Sequence, residues 1–352
     1  MQKDCCRKKG RCFLAMLTVL CTVALGSGDI YAADTKDEAT AKTADTKEKV
    51  WISGETVGVY LQTKGVLVAD IGTVDGDAGK NSMPAEHIAR AGDYIRRINN
   101  EDIRTKQQLI NMMRKNHGEK VILSVVRGGE TIEYALQPAA DSEGSYKLGL
   151  WVQDDLQGIG TLTFVREDGS FGALGHGISD GESGELLQVD KGQLYKAGIL
   201  EIQKGKSGTP GELRGSIYYA DSELLGTING NTGCGIFGHM KVNMSGNRRV
   251  SVADRSEVQT GAAQIVCNTG DGVQTYNVWI DNVRKQTKDK NKSFEIQVTD
   301  KNLLAKTGGI VQGMSGAPIL QGGQLIGAVT HVFVNDPRRG YGVFAEDMLD
   351  AA

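Results

Sequence analysis

The chain has 352 residues, and its 40 basic and 43 acidic side chains leave a formal net charge of -3, which gives no reason to expect a nucleic-acid partner. Forty-seven glycines against five prolines, with no G-X-Y period, exclude collagen and point to many tight turns between short strands. Five scattered histidines without an H-E-x-x-H pattern, and six cysteines without a Cys-x-x-Cys pair, point to no metal and no cofactor.

In chain order, Lys3, Arg7, Lys8, Lys9 and Arg11 precede an apolar run from Cys12 to Leu25. Residues 1–33 therefore read as an export signal or membrane anchor. Cutting after Ala32 or Ala33 puts Ile30 or Tyr31 at the minus-three position, where a small residue is expected, so removal and retention as a transmembrane helix both stay open. Residues 34–54 read as a flexible linker, with the ADTK unit at Ala33–Lys36 repeated at Ala44–Lys47.

Residues 55–140 predict a small α+β module. VGVYLQ and GVLVADI have strand character, and Thr105 is placed to cap a helix carrying Leu109, Ile110, Met112 and Met113. A hairpin around Gly128-Gly129 completes the module. Residues 145–352 are strand-rich, as in GIGTLTFV, TYNVWI, SFEIQV and QLIGAVTHVFV, with turns of glycine, aspartate or asparagine and no series of intervening helices. The fold class expected is mainly β, with paired barrels or a comparable antiparallel core in the larger part. Cys234 and Cys267 leave one disulfide and two separate thiols equally open.

The sharpest chemical signal is GIVQGMSGAPIL at 309–320. A serine nucleophile needs an exposed hydroxyl on a tight turn beside backbone N–H groups that stabilise an oxyanion. Ser315 fits the first requirement, and the amides of Gly313 and Ser315 fit the second. FGALGHGISD at 171–180 sets His176 between two glycines, which lets it approach another loop and serve as general base. A loop histidine bonded to a backbone carbonyl is the plainer alternative. His239 and His331 compete, the latter on a strand returning from the serine turn. For the acid that would orient the histidine, Asp300 stands beside Asp180, Asp254 and Asp281 as candidates.

LWVQDDLQGIGTLTFV at 150–165, FGALGHGISD, and GMSGAPILQGGQLIGAVTHVFVNDPRRGYGVF at 313–344 resemble the SpoIVB peptidase family of endospore-forming Firmicutes. The resemblance implies a PDZ-like domain followed by a chymotrypsin-like double β-barrel serine peptidase domain. It implies a triad of His176, Asp300 and Ser315. It also implies export to a membrane-associated location between forespore and mother-cell membranes. There such a peptidase would cleave itself and a membrane-associated inhibitory protein of the pro-σK processing complex. The PDZ-like part would bind a peptide, in cis or from another copy, at Gly65, Val66, Leu67 and Val68, read as loop and edge strand. A catalytically inactive PDZ-centred signalling protein and a general envelope quality-control protease are the competing functions.

Overall fold

The computed structural model describes residues 47–181, 184–241 and 248–352. Strands form where apolar residues alternate. In Val273–Asp281, Tyr276, Val278 and Ile280 are buried while Trp279 between them faces solvent. Helix termini carry the expected caps. Thr105 and Gln108 make a reciprocal capping box, and Leu109 and Met113, one turn apart, are the buried face of the helix they start.

The first elements are β1 (Lys49–Ile52), β2 (Thr56–Ile71), β3 (Tyr94–Ile98), β4 (Glu101–Asp102), α1 (Lys106–Lys115), β5 (Val121–Arg127) and β6 (Glu130–Leu136). β7 (Ala139–Ala140), β8 (Tyr146–Lys147), β9 (Leu150–Val165), β10 (Ser170–Ala173), β11 (Val189–Gln203), β12 (Glu212–Ile217), β13 (Leu224–Thr232), β14 (Gly235–Met240) and β15 (Arg249–Ser251) follow. The last third holds β16 (Gly261–Asn268), β17 (Val273–Asp281), β18 (Phe294–Val298), α2 (Lys301–Thr307), β19 (Pro318–Gln321), β20 (Gln324–Phe333), β21 (Asp336–Phe344) and α3 (Ala345–Leu349).

Antiparallel pairing runs from β9 through β10, β14, β13, β11 and β2 and returns to β9, so these six strands form a ring within the larger sheet. A second group, β16-β17-β18-β21-β20-β19, is a closed barrel. Between the ring strands β2 and β9 in sequence, β3, β5, β6 and α1 enclose a separate small core that includes Val66, Ile95, Leu109, Leu123 and Leu136. This core occupies the stretch expected to be an α+β module. Its walls are not self-contained, because both long strands cross into it. Residues 56–62 of β2 pair with the ring portion of β9, and residues 67–71 pair with Leu150–Gln153 of the same strand.

The membrane expectations are corrected. The transmembrane helix is corrected to what the structure carries: among the described residues no helix is long and apolar enough to cross a membrane. The membrane contact expected of that segment is corrected with it, as are the membrane-associated inhibitory partner and the intermembrane location that the resemblance implied. Residues 1–46, on which the signal and most of the linker were read, lie outside the described residues. Cys234 and Cys267, the open disulfide pair, are free buried thiols in different apolar clusters.

The closed barrel is centred on Phe294, fully buried and 5.3 Å from the Phe344 ring, against the backbone of Gly327 and Gly342. Phe294→Ala should lower unfolding free energy by about 3–5 kcal/mol in urea titration, with an unchanged slope.

Candidate active site

The turn that carries Ser315 is built from backbone. Gly313 and Gly316 have φ of +96° and +92°, a region that side chains strongly disfavour. A Cβ on Gly316 would also collide with the Thr161 carbonyl oxygen and the Leu174 amide. The close approach is held by β9. Thr161 N–H donates to the Ser315 carbonyl at 3.0 Å, Thr161 Oγ1 donates to the Gly313 carbonyl at 2.8 Å, and Thr163 Oγ1 donates to the Gly316 carbonyl at 2.7 Å.

The same strand holds the histidine turn. Leu174 N–H donates to the Thr161 carbonyl at 3.2 Å, and Leu174 sits at φ +68°, rare for a branched side chain. His176 follows two residues later. Its Nδ1 lies 2.8 Å from the Gly177 carbonyl oxygen. A carbonyl can only accept, so Nδ1 carries the proton and Nε2 is the basic nitrogen. Burial holds the His176 pKa below its ordinary value, partly offset by the bond to Gly177. The ring is thus neutral at pH 7, as a general base requires.

Ser315 and His176 line one cavity of about 500 Å³, together with Gly313 and His331. The His331 ring lies 4.8 Å from that of His176, tilted by 33°. In this conformation the Ser315 hydroxyl donates to the Thr330 carbonyl at 2.8 Å. Proton transfer requires it to leave that carbonyl for His176 Nε2. Neither the Gly313 nor the Ser315 amide donates to any acceptor among the described residues. Both remain available to an oxyanion.

Asp300 is not brought to this cavity. Its carboxylate caps α2, accepting from the Asn302 and Leu303 amides at 2.9 and 3.1 Å, and reaches the Asn277 amide at 3.3 Å. Asp180, Asp254 and Asp281 are also absent from the lining, which contains no carboxylate. His239 lies on β14, opposite Ser170.

The Gly65–Val68 edge is corrected as well. Val66 and Leu67 pair with β3, and Leu67 and Val68 pair with β9, so both sides of the strand are occupied and Val66, Leu67 and Val68 are fully buried. An open edge lies one strand away. Leu150–Gln153 pairs with β2 on one side and has no strand on the other among the described residues. It borders a cavity of about 690 Å³ against α1, lined by Leu109, Ile110, Met113, Leu148, Leu150 and Trp151. Ile110 and Trp151, 40% and 68% exposed, offer apolar surface there. The Leu148-Gly149-Leu150 sequence carried the signal, at the start of a segment noted only for its resemblance.

Partial desolvation and the neighbouring His176 and Lys292 push the His331 pKa from its ordinary 6.5 to about 4. The unfolded chain then takes up this proton near pH 6.5 and the folded chain only near 4. Stability is therefore full above pH 6.5 and falls as pH drops towards 4. Thermal melting of His331→Phe should depend less steeply on pH across that window than melting of the wild type.

The SpoIVB peptidase S55 family model matches residues 144–349. Among solved structures, the chain is similar to the PDZ domain of the SdrC-like protein from Listeria monocytogenes, at 22% identity over 25% of this chain and 87% of that one, with a TM-score of 0.21. It is also similar to the HtrA-type protease AlgW with tripeptide, at 14% identity over 55% of this chain and 54% of that one, TM-score 0.34. The Rv3671c protease from M. tuberculosis in its active form is similar at 10% identity, over 56% of this chain and 73% of that one, TM-score 0.30. With the family model covering more than half of its length, the chain belongs to the SpoIVB peptidase S55 family, and its activity is of the serine-protease type.

Proposed function

We propose that the chain is a serine endopeptidase in which Ser315 is the nucleophile, His176 the general base and the Gly313 and Ser315 amides the oxyanion hole. The observation that carries this reading is the single cavity shared by Ser315 and a His176 whose basic Nε2 is left free by the Gly177 bond. Ser315 Oγ attacks the scissile carbonyl carbon while its proton passes to Nε2. The C–N bond then breaks as that proton moves to the departing amine. Water, deprotonated by the same nitrogen, hydrolyses the acyl ester and restores the hydroxyl.

Two further assignments belong to the proposal. The ring and barrel correspond to the two barrels of a chymotrypsin-like domain, with the catalytic cleft drawing on both and a PDZ-like module inserted between residues 63 and 154. The peptide-binding edge of that module is Leu150–Gln153 rather than Gly65–Val68. The family resemblance supports cleavage of a regulatory protein and of the chain itself, as a signal for pro-σK processing in sporulation.

Purified Ser315→Ala and His176→Ala should keep the wild-type fold by circular dichroism and lose at least about 10⁴-fold in kcat on a peptide substrate, together with self-cleavage. Turnover by folded Ser315→Ala at the wild-type rate would remove the assignment. For Asp300 the structure-based role is capping, which asparagine performs as well as aspartate. Asp300→Asn should therefore keep more than about a tenth of wild-type kcat, whereas an orienting acid would lose about 10⁴-fold.

A further inference from the structure

We infer that the cleft selects an aliphatic side chain on the residue that donates the scissile carbonyl, with Ile310, Val311 and Val332 as the selecting surface. This rests on the peptidase reading of Ser315 and names the substrate class that reading leaves open. An acyl carbonyl whose oxygen sits at the Gly313 and Ser315 amides holds its own side chain against the segment leading to Ser315 and the strand beside it. Those are Ile310–Gly313 and Thr330–Val332, and both line the cavity. Ile310 and Val311 are 2% and 1% exposed and belong to the apolar core of the closed barrel, against which Val332 packs.

Ile310 also sets the depth. A Cβ on Gly340 would come within 2.7 Å of Ile310 Cδ1, so this side chain already fills the space against the Gly340 backbone and forms a floor. The lining also includes Ile159, Leu174 and Ile178. Apart from the two histidines, no titratable side chain lines the cavity. Lys292 and Asp289, whose charges act on His331, pair with one another at 2.7 Å. A lysine or aspartate entering this space would lose its hydration without gaining a partner, a loss that substitution of an aliphatic group avoids.

The test uses the full chain and a series of otherwise identical peptides carrying Val, Leu, Phe, Lys or Asp before the scissile bond. A parallel pair of peptidyl diphenyl phosphonates, ending in Val or Lys analogues, is read by intact mass. Val and Leu peptides should exceed Lys and Asp peptides by at least about 100-fold in kcat/KM, and the Val phosphonate alone should modify Ser315. Val332→Asp, at a partly exposed position, should shift the Val-to-Lys ratio by at least about 10-fold towards Lys. Cleavage of the Lys or Asp peptide as fast as the Val peptide would overturn the inference while leaving the peptidase reading intact. Labelling by the Val phosphonate alone upholds it even where turnover is too slow to read. Absence of both cleavage and labelling would overturn the peptidase reading itself, and the inference with it.

Discussion

The candidate site depends on one residue of β9. The backbone of Thr161 accepts from the Leu174 amide and donates to the Ser315 carbonyl, while its hydroxyl donates to the Gly313 carbonyl. One strand position thereby fixes the histidine turn and the serine turn together. Leu174 at φ +68° costs energy by itself, whereas Gly313 and Gly316 take their positive φ without a steric penalty. The three hydrogen bonds satisfy carbonyl and amide groups that the tight turns would otherwise leave unpaired at a half-buried surface. Precision in the site therefore comes from backbone held by a sheet, which is stiffer than a constellation carried on free loops.

The same strand reaches well beyond the site. β9 begins at Leu150, on the open edge facing α1, and ends at Val165 in the ring. The α1 end is docked to it by a 2.8 Å bond from the Lys106 amide to Asp154 and by Lys106 Nζ 3.3 Å from the same carboxylate. Groove wall and nucleophile support are thus parts of one element. That physical continuity was invisible when the small module and the larger domain were considered as consecutive pieces.

Much was legible because the signals were local. Alternating apolar residues gave the strands, Thr105 gave the start of α1, and the glycines around Ser315 and His176 gave two turns that the fold brings to one cavity. Partners separated by long stretches of sequence were not legible. Thr161 looks like any polar residue in a strand, and only its position opposite the Gly313 carbonyl gives it a task. Asp300 illustrates the reverse failure. Its place just before a helix was a capping signal, which the triad implied by the family resemblance obscured. Gly65–Val68 was assigned to an edge by the PDZ-like resemblance, but its apolar residues are fully buried because partners lie on both sides. Edge and centre are properties of the sheet and have no fixed local signature.

The central claim is that Ser315 is a nucleophile activated by His176. It is tested most directly by treating the intact chain with a fluorophosphonate and mapping the adduct by peptide mass spectrometry. The account predicts a single adduct on Ser315, formed at a rate that collapses in His176→Ala. An adduct on another residue, or labelling of Ser315 that is indifferent to His176, would contradict it.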